Sequence, residues 1–111
     1  MDIAIRHFGL VSIIELPGRL VRGEASDAVE RSIASLVDSG RVRIVLDMGR
    51  MTFIDSSGLG ELMACHRRVA GTGGAVRLLK PPARILELLD ITQLKPLFES
   101  FEDEAAAVSS F

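Results

Sequence analysis

Phe53-Ile54-Asp55-Ser56-Ser57-Gly58-Leu59-Gly60 joins two segments of different character. Before it lies an apolar run, Val42-Arg43-Ile44-Val45-Leu46-Asp47-Met48; after it, from Leu59 to Ala70, the apolar residues fall at helical spacing. A strand therefore hands over to a helix through an acidic residue, two hydroxyls and two glycines. Such a junction presents unpaired backbone N–H groups and the positive end of a helix dipole. Asp and Ser cap helix starts by accepting hydrogen bonds from first-turn amides, so capping is one account of Asp55, Ser56 and Ser57. The other is that one of the two hydroxyls is modified or recognised.

Working outward, Ile44-Val45-Leu46 is apolar on both faces, the mark of a central parallel strand with helices packed over it. On the helix that follows, Leu59, Leu62, Met63, His66, Val69 and Ala70 share one face, and Gly71-Thr72-Gly73-Gly74 ends it. Upstream, Ile3 and Ile5 alternate with polar neighbours, Leu10 to Leu16 is rich in β-branched residues, and Gly9 separates the two runs as a hairpin would. Pro17-Gly18 supplies turn chemistry, and Arg19-Leu20-Val21 reads as a short third strand. Val29, Ile33, Leu36 and Val37 then form the stripe of a helix, with Ser26 or Asp27 as its expected cap and Gly40 as its stop.

Downstream, Ala75 to Leu79 is a further buried strand, and Pro81-Pro82 opens a helix that turns Ile85, Leu88 and Leu89 inward. Leu97-Phe98 reads as a short strand or extended linker. Ser100 is the expected cap of a last helix whose first turn carries Glu102, Asp103 and Glu104 and whose inner face is Phe101, Ala105 and Val108. Strands and helices alternate after residue 25, which predicts an α/β fold on the α+β border, with a largely parallel sheet and right-handed crossovers.

The 111 residues form one domain, 1–111, with 48% hydrophobic and 25% charged residues and neither Trp nor Tyr. A net charge of −2 offers no electrostatic basis for direct nucleic-acid binding. Charge is uneven: residues 41–80 are net basic and both flanking thirds net acidic, so Arg50, Arg67 and Arg68 lie near the junction in sequence and suit an acidic partner. The single cysteine, Cys65, has no partner for an internal disulfide. No apolar run reaches the length of a membrane span, and charges at Asp2, Arg6 and Glu15 argue against a signal peptide. These features predict a cytoplasmic domain without membrane insertion.

Enzymatic readings of the junction lack partners. Neither serine has the flanking glycines of a nucleophile elbow, and His66, nine residues along a helix from Ser57, points away from it. The Gly-x4-Gly-Lys-Ser/Thr phosphate loop is absent, and Gly58-x-Gly60 alone is a weak signal. Asp47 and Asp55 form an isolated pair with no Cys/His cluster to complete a metal site. No catalytic residue, metal ligand or cofactor is therefore assigned. A serine at a helix start does suit phosphorylation, because the dipole and free amides accommodate the added charge and the domain need not unfold.

Val45-Leu46-Asp47-Met48, the Phe53 to Gly60 run, Gly73-Gly74 before a strand, Ile85-Leu86-Glu87-Leu88-Leu89 and the terminal Ala-rich segment together resemble the anti-sigma factor antagonist branch of the STAS domain family. The resemblance covers nearly the whole chain and implies a mixed sheet of four or five strands carrying about four helices. It also implies partner switching. The unmodified protein binds an anti-sigma factor that is also a serine kinase, releasing a sigma factor; the kinase phosphorylates a serine at the helix start, and a serine phosphatase reverses this. Carried over by position, the phosphoacceptor is Ser56, with Asp55, Ser57, Gly58 and Leu59 in or beside the contact surface. With Ser56 as the switch and the enzymatic readings lacking partners, the junction chemistry leaves Ser57 as the expected cap. The oligomeric state stays open, a homodimer included. One position departs: where the family commonly has an acidic residue after Gly-x-Leu, Gly18-Arg19-Leu20 is followed here by Val21, with Arg19 and Arg22 around it. That departure supports an alternative, an unphosphorylated interaction module of the same fold that scaffolds a lipid-transport or sensory complex.

Overall fold

A computed structural model describes residues 1–111. The chain runs β1 (Ile5–Phe8), β2 (Val11–Glu15), β3 (Arg19–Leu20), α1 (Glu24–Asp38), β4 (Arg43–Asp47), β5 (Phe53–Ile54), α2 (Ser56–Ala70), β6 (Ala75–Leu79), α3 (Ala83–Ile91), a 3-10 turn at Lys95–Leu97, β7 (Glu99–Phe101) and α4 (Glu104–Ser109). Five strands form one sheet in the order β1-β2-β4-β6-β7; β1 is antiparallel to β2 and every other pairing is parallel. The expected mixed sheet with four helices is therefore present. A separate two-stranded parallel sheet pairs β3 with β5.

Local chemistry explains most of the elements. The β1–β2 hairpin closes Phe8 onto Val11, and Gly9 takes φ +60°, a left-handed conformation that costs glycine nothing. Ile44, Val45 and Leu46 are fully buried because β4 lies at the centre of the sheet and both faces are covered. On one face Ile14, Ile44, Leu46 and Leu78 pack with Val29 and Ile33 of α1 and Leu62, Cys65 and Val69 of α2. On the other, Ile13, Val45 and Leu79 meet Ala107 of α4, with Val108 and Phe111 beside it. Arg6 ties α4 down through Glu104 (2.7 Å) and reaches Asp47 (3.4 Å), while the Arg77 guanidinium lies 4.8 Å from the Phe111 ring centroid. Burying each large aliphatic side chain stabilises the fold by roughly 1.5–3 kcal/mol, so the two core layers dominate its energetics.

Several expected boundaries shift. Helix α1 begins at Glu24 after Gly23, so neither Ser26 nor Asp27 is its cap. The chain enters the helix directly from β3: the Ser26 amide donates to the Val21 carbonyl, the Asp27 amide donates to that of Gly23, and Ser26 is buried within the first turn. Ser100 does not cap the last helix. It lies in β7 opposite Leu78, and Asp103 caps α4 by accepting from the Ala106 amide at 3.0 Å. Leu97 ends the 3-10 turn rather than starting a strand, because the chain turns Phe98 into the core before pairing begins at Glu99. Ala107, not Ala105, is the buried residue of α4. On α2 the inner face is rotated toward Cys65, and Ala70 is exposed.

Candidate functional site

The junction is held by the small β3–β5 sheet. The Thr52 and Phe53 amides both donate to the Gly18 carbonyl, at 2.7 and 3.2 Å, and the Asp55 amide donates to Leu20 at 3.3 Å. The segment leaving β2 thereby sets the position at which α2 begins. Asp55 is the N-cap. One carboxylate oxygen accepts from the Gly58 amide at 2.8 Å and the other from the Arg22 amide at 3.0 Å. One side chain thus caps the helix and fastens it to a segment 33 residues away. The Arg22 amide first, then that of Gly58, holds the Asp55 carboxyl below its usual range, since both bonds favour the charged form.

Because Asp55 takes the cap, the expectation for Ser57 is corrected: its hydroxyl caps nothing, and its side chain is half-buried. Ser56 is the first residue of the 15-residue α2, exposed, with no hydrogen bond to its hydroxyl. Gly58 is buried against β3. A β-carbon there would overlap the Leu20 carbonyl oxygen and stand 2.6 Å from Cγ1 of Ile54. Leu59 is half-buried and leans on the core. The first turn of α2 therefore gathers Asp55, Ser56, Ser57, Gly58 and Leu59, with Gly58 setting the close approach and Ser56 facing outward.

The basic residues sort differently from their order in sequence. Arg67 and Arg68 sit in the last turn of α2, the former about 16 Å along the axis from Ser56. Arg50 faces Glu15 at 3.9 Å. The arginines that border the junction are Arg22, through its amide on Asp55, and Arg19, whose guanidinium lies 4.6 Å from the Phe53 ring centroid. Val21 lies between them, half-buried, so no carboxylate occupies that place. Beside the junction, Phe53, Ile54, Ile85, Leu88 and Ile91 line an open cleft of about 280 Å³ between β5 and α3, with Arg84 on its wall. Sequence patterning missed this cleft; the exposed Phe53 and Ile91 within otherwise amphipathic segments were the available signal.

Other reactive groups face elsewhere. His66 packs edge-on against Phe98, ring centroids 5.6 Å apart. The Cys65 thiol is buried and pushed up to about 12, chiefly by loss of solvation. Burial also raises Glu61, with Glu30 adding to the effect. No three His, Cys, Asp or Glu side chains converge as a metal site would require, and no helix is long and apolar enough to cross a membrane.

Comparison with known proteins agrees with this architecture. The anti-sigma F factor antagonist of Paenibacillus polymyxa is 28% identical over 104 residues, 90% of this chain and 88% of that protein. BtrV of Bordetella bronchiseptica, provisionally named an anti-sigma factor antagonist, is 26% identical over 92 residues, 83% of this chain and 79% of that protein. The structure of the Bacillus cell fate determinant SpoIIAA in its phosphorylated form superposes with a TM-score of 0.78 at 21% identity, covering 99% of this chain and all of that one. The STAS domain model matches residues 2–107, and with the five-stranded mixed sheet and the Asp-Ser-Ser-Gly helix start in place, the chain belongs to the STAS domain family.

Proposed function

We propose that this protein is an anti-sigma factor antagonist that works by partner switching, with Ser56 as its phosphoacceptor. The observation that carries the reading is the division of labour at the junction: Asp55 caps α2, so the Ser56 hydroxyl stands exposed and unbonded at the helix start. Phosphate there adds about −1.5 to −2 charges and three acceptor oxygens next to the positive end of a helix dipole. The fold tolerates that charge, whereas a partner seated on the same turn meets a bulky dianion in place of a small hydroxyl. The unmodified form binds an anti-sigma factor that is also a serine kinase, through Asp55, Ser56, Ser57 and Leu59 on the turn shaped by Gly58. Binding releases a sigma factor; phosphorylation ends it, and a serine phosphatase restores it. Relatives named as antagonists, and a structural neighbour known in a phosphorylated form, support this reading.

The test is to incubate the protein with candidate serine kinases and ATP, map the phosphate by mass spectrometry, and compare wild type with Ser56→Asp in binding. Phosphate at Ser56 and weakened binding by Ser56→Asp are expected; phosphate on Ser57 alone, or equal binding, refutes the assignment. Val21 favours a second reading, because the position after Gly18-Arg19-Leu20, commonly acidic in the family, carries no carboxylate here. In that reading the protein scaffolds a lipid-transport or sensory complex without phosphotransfer. A stable non-kinase partner whose binding ignores phosphate would establish it.

A further inference from the structure

The two faces of the sheet are covered in different ways. Helices α1 and α2 bury six and four residues on their side. Helix α4 spans six residues and buries one, Ala107. A helix of that length is not stable alone in water, so it stays formed only while docked. Beneath it lie Ile13, Val45 and Leu79 of the central strands β2, β4 and β6, each fully buried. Val108 and Phe111 pack beside them and remain partly exposed.

The rest of the attachment is polar and falls on two arginines, each of which has a second partner on the sheet. Arg6 meets Glu104 of α4 at 2.7 Å and Asp47 of β4 at 3.4 Å. Arg77 donates from Nε to Ser110 Oγ at 3.1 Å and from Nη2 to the Ser110 carbonyl at 3.4 Å. The same guanidinium stacks on Phe111 and stands 3.5 Å from Glu99 of β7. If α4 leaves, Arg6 keeps Asp47 and Arg77 keeps Glu99, so neither cation loses its counter-charge. The ion pair that breaks, Arg6–Glu104, has side chains 43% and 36% exposed, the kind of pair that contributes least to stability.

We infer that α4, with Ser110 and Phe111, is a cover that opens as one unit about the exposed Glu102-Asp103 link while the sheet and the helices on its other face stay folded. Opening uncovers Ile13, Val45 and Leu79; Arg6 and Arg77 latch the closed form. Because α4 lies on the face of the sheet opposite α2, this motion is independent of the reading of Ser56.

The test is native-state hydrogen exchange on the full chain, followed residue by residue by NMR in low concentrations of urea. The probes are the amides of Ala106, Ala107 and Ser110, each hydrogen-bonded in the closed form, and those of the central strand β4. The three α4 probes are expected to share one opening constant, at least about 100-fold larger than that of β4, and one small urea dependence. Ile33→Val loosens the core on the α1 face, which stays intact when the cover opens. It should therefore speed β4 exchange about fivefold and leave the α4 probes unchanged. Glu104→Gln and Arg77→Met act at opposite ends of α4. Each weakens the closed form alone, so each should speed all three α4 probes by a common factor, about threefold for the first and about tenfold for the second. Equal acceleration of α4 and β4 by Ile33→Val would show that α4 leaves only when the whole domain unfolds, and would overturn the inference. So would exchange that is graded from Ala106 to Ser110 and insensitive to urea, or a latch variant that alters only the probe nearest to it, since either describes residue-by-residue fraying.

Discussion

Gly58→Ala and Gly60→Ala, two residues apart on one helix, should change stability in opposite directions. Removing a glycine from a helix interior ordinarily stabilises it by about 0.5–1 kcal/mol, because the unfolded chain loses freedom. Gly60 is exposed, and a methyl group there would meet nothing within 4 Å, so the full gain is expected. At Gly58 the methyl meets the Leu20 carbonyl oxygen, Cγ1 of Ile54 at 2.6 Å and Cγ of Leu20 at 3.1 Å. The first of these is backbone and cannot rotate away. Relief requires α2 to move off β3, an overpacking cost of about 1–3 kcal/mol, and weakens the Asp55–Leu20 hydrogen bond, worth about 1 kcal/mol. Set against the helix gain, the net is a destabilisation of about 2 kcal/mol. For a chain of 111 residues that lowers Tm by about 9 °C, while Gly60→Ala raises it by about 2–4 °C. Urea titration followed by far-ultraviolet circular dichroism, with thermal melts of the same samples, measures both. Shifts of the same sign would refute the close approach of β3 to α2, and with it the placement of Arg22 and Asp55.

Three further outcomes follow from the site. Asp55 has a carboxyl held low in the fold, so its contribution is fully present above the unfolded value of about 3.8 and is lost as pH falls toward the folded one. The difference in urea midpoint between wild type and Asp55→Asn should therefore be constant near neutral pH and shrink below about pH 4; a difference unchanged into acid would deny the two amide bonds. Ser56→Ala and Ser57→Ala should each lie within about 0.5 kcal/mol of wild type, because neither hydroxyl is bonded, and Ser56→Ala alone should abolish phosphate incorporation. The Cys65 thiol, buried and raised to about 12, should resist iodoacetamide at pH 8 until urea unfolds the chain; rapid labelling of the native protein would show α2 opening locally.

The central strand, the hairpin, the stripes of α1 and α2 and the strand-to-helix character of the Asp55–Gly60 junction were legible in the residues. Each depends on the spacing of side chains within one segment, which the chain carries with it wherever it folds. Three of the departures from the expected pattern fell at helix starts. Ser26, Ser57 and Ser100 all have capping chemistry, yet Gly23, Asp55 and Asp103 begin the helices. A hydroxyl does not choose between adjacent registers; the entry direction of the preceding strand does.

What the sequence by itself determined is local: periods, turn chemistry, and an acid and two serines at the head of a helix. What only the tertiary structure decided is which of those groups remains free. The pairing of Arg19-Leu20 with Phe53-Ile54 brings the Arg22 amide to Asp55 across 33 residues, commits that carboxylate to the cap and leaves the Ser56 hydroxyl exposed. The same pairing places Arg19 over Phe53, and the packing of α3 completes the cleft. Parallel pairing of two-residue strands has no signature in either strand alone, because its hydrogen bonds are made by backbone groups that every residue possesses.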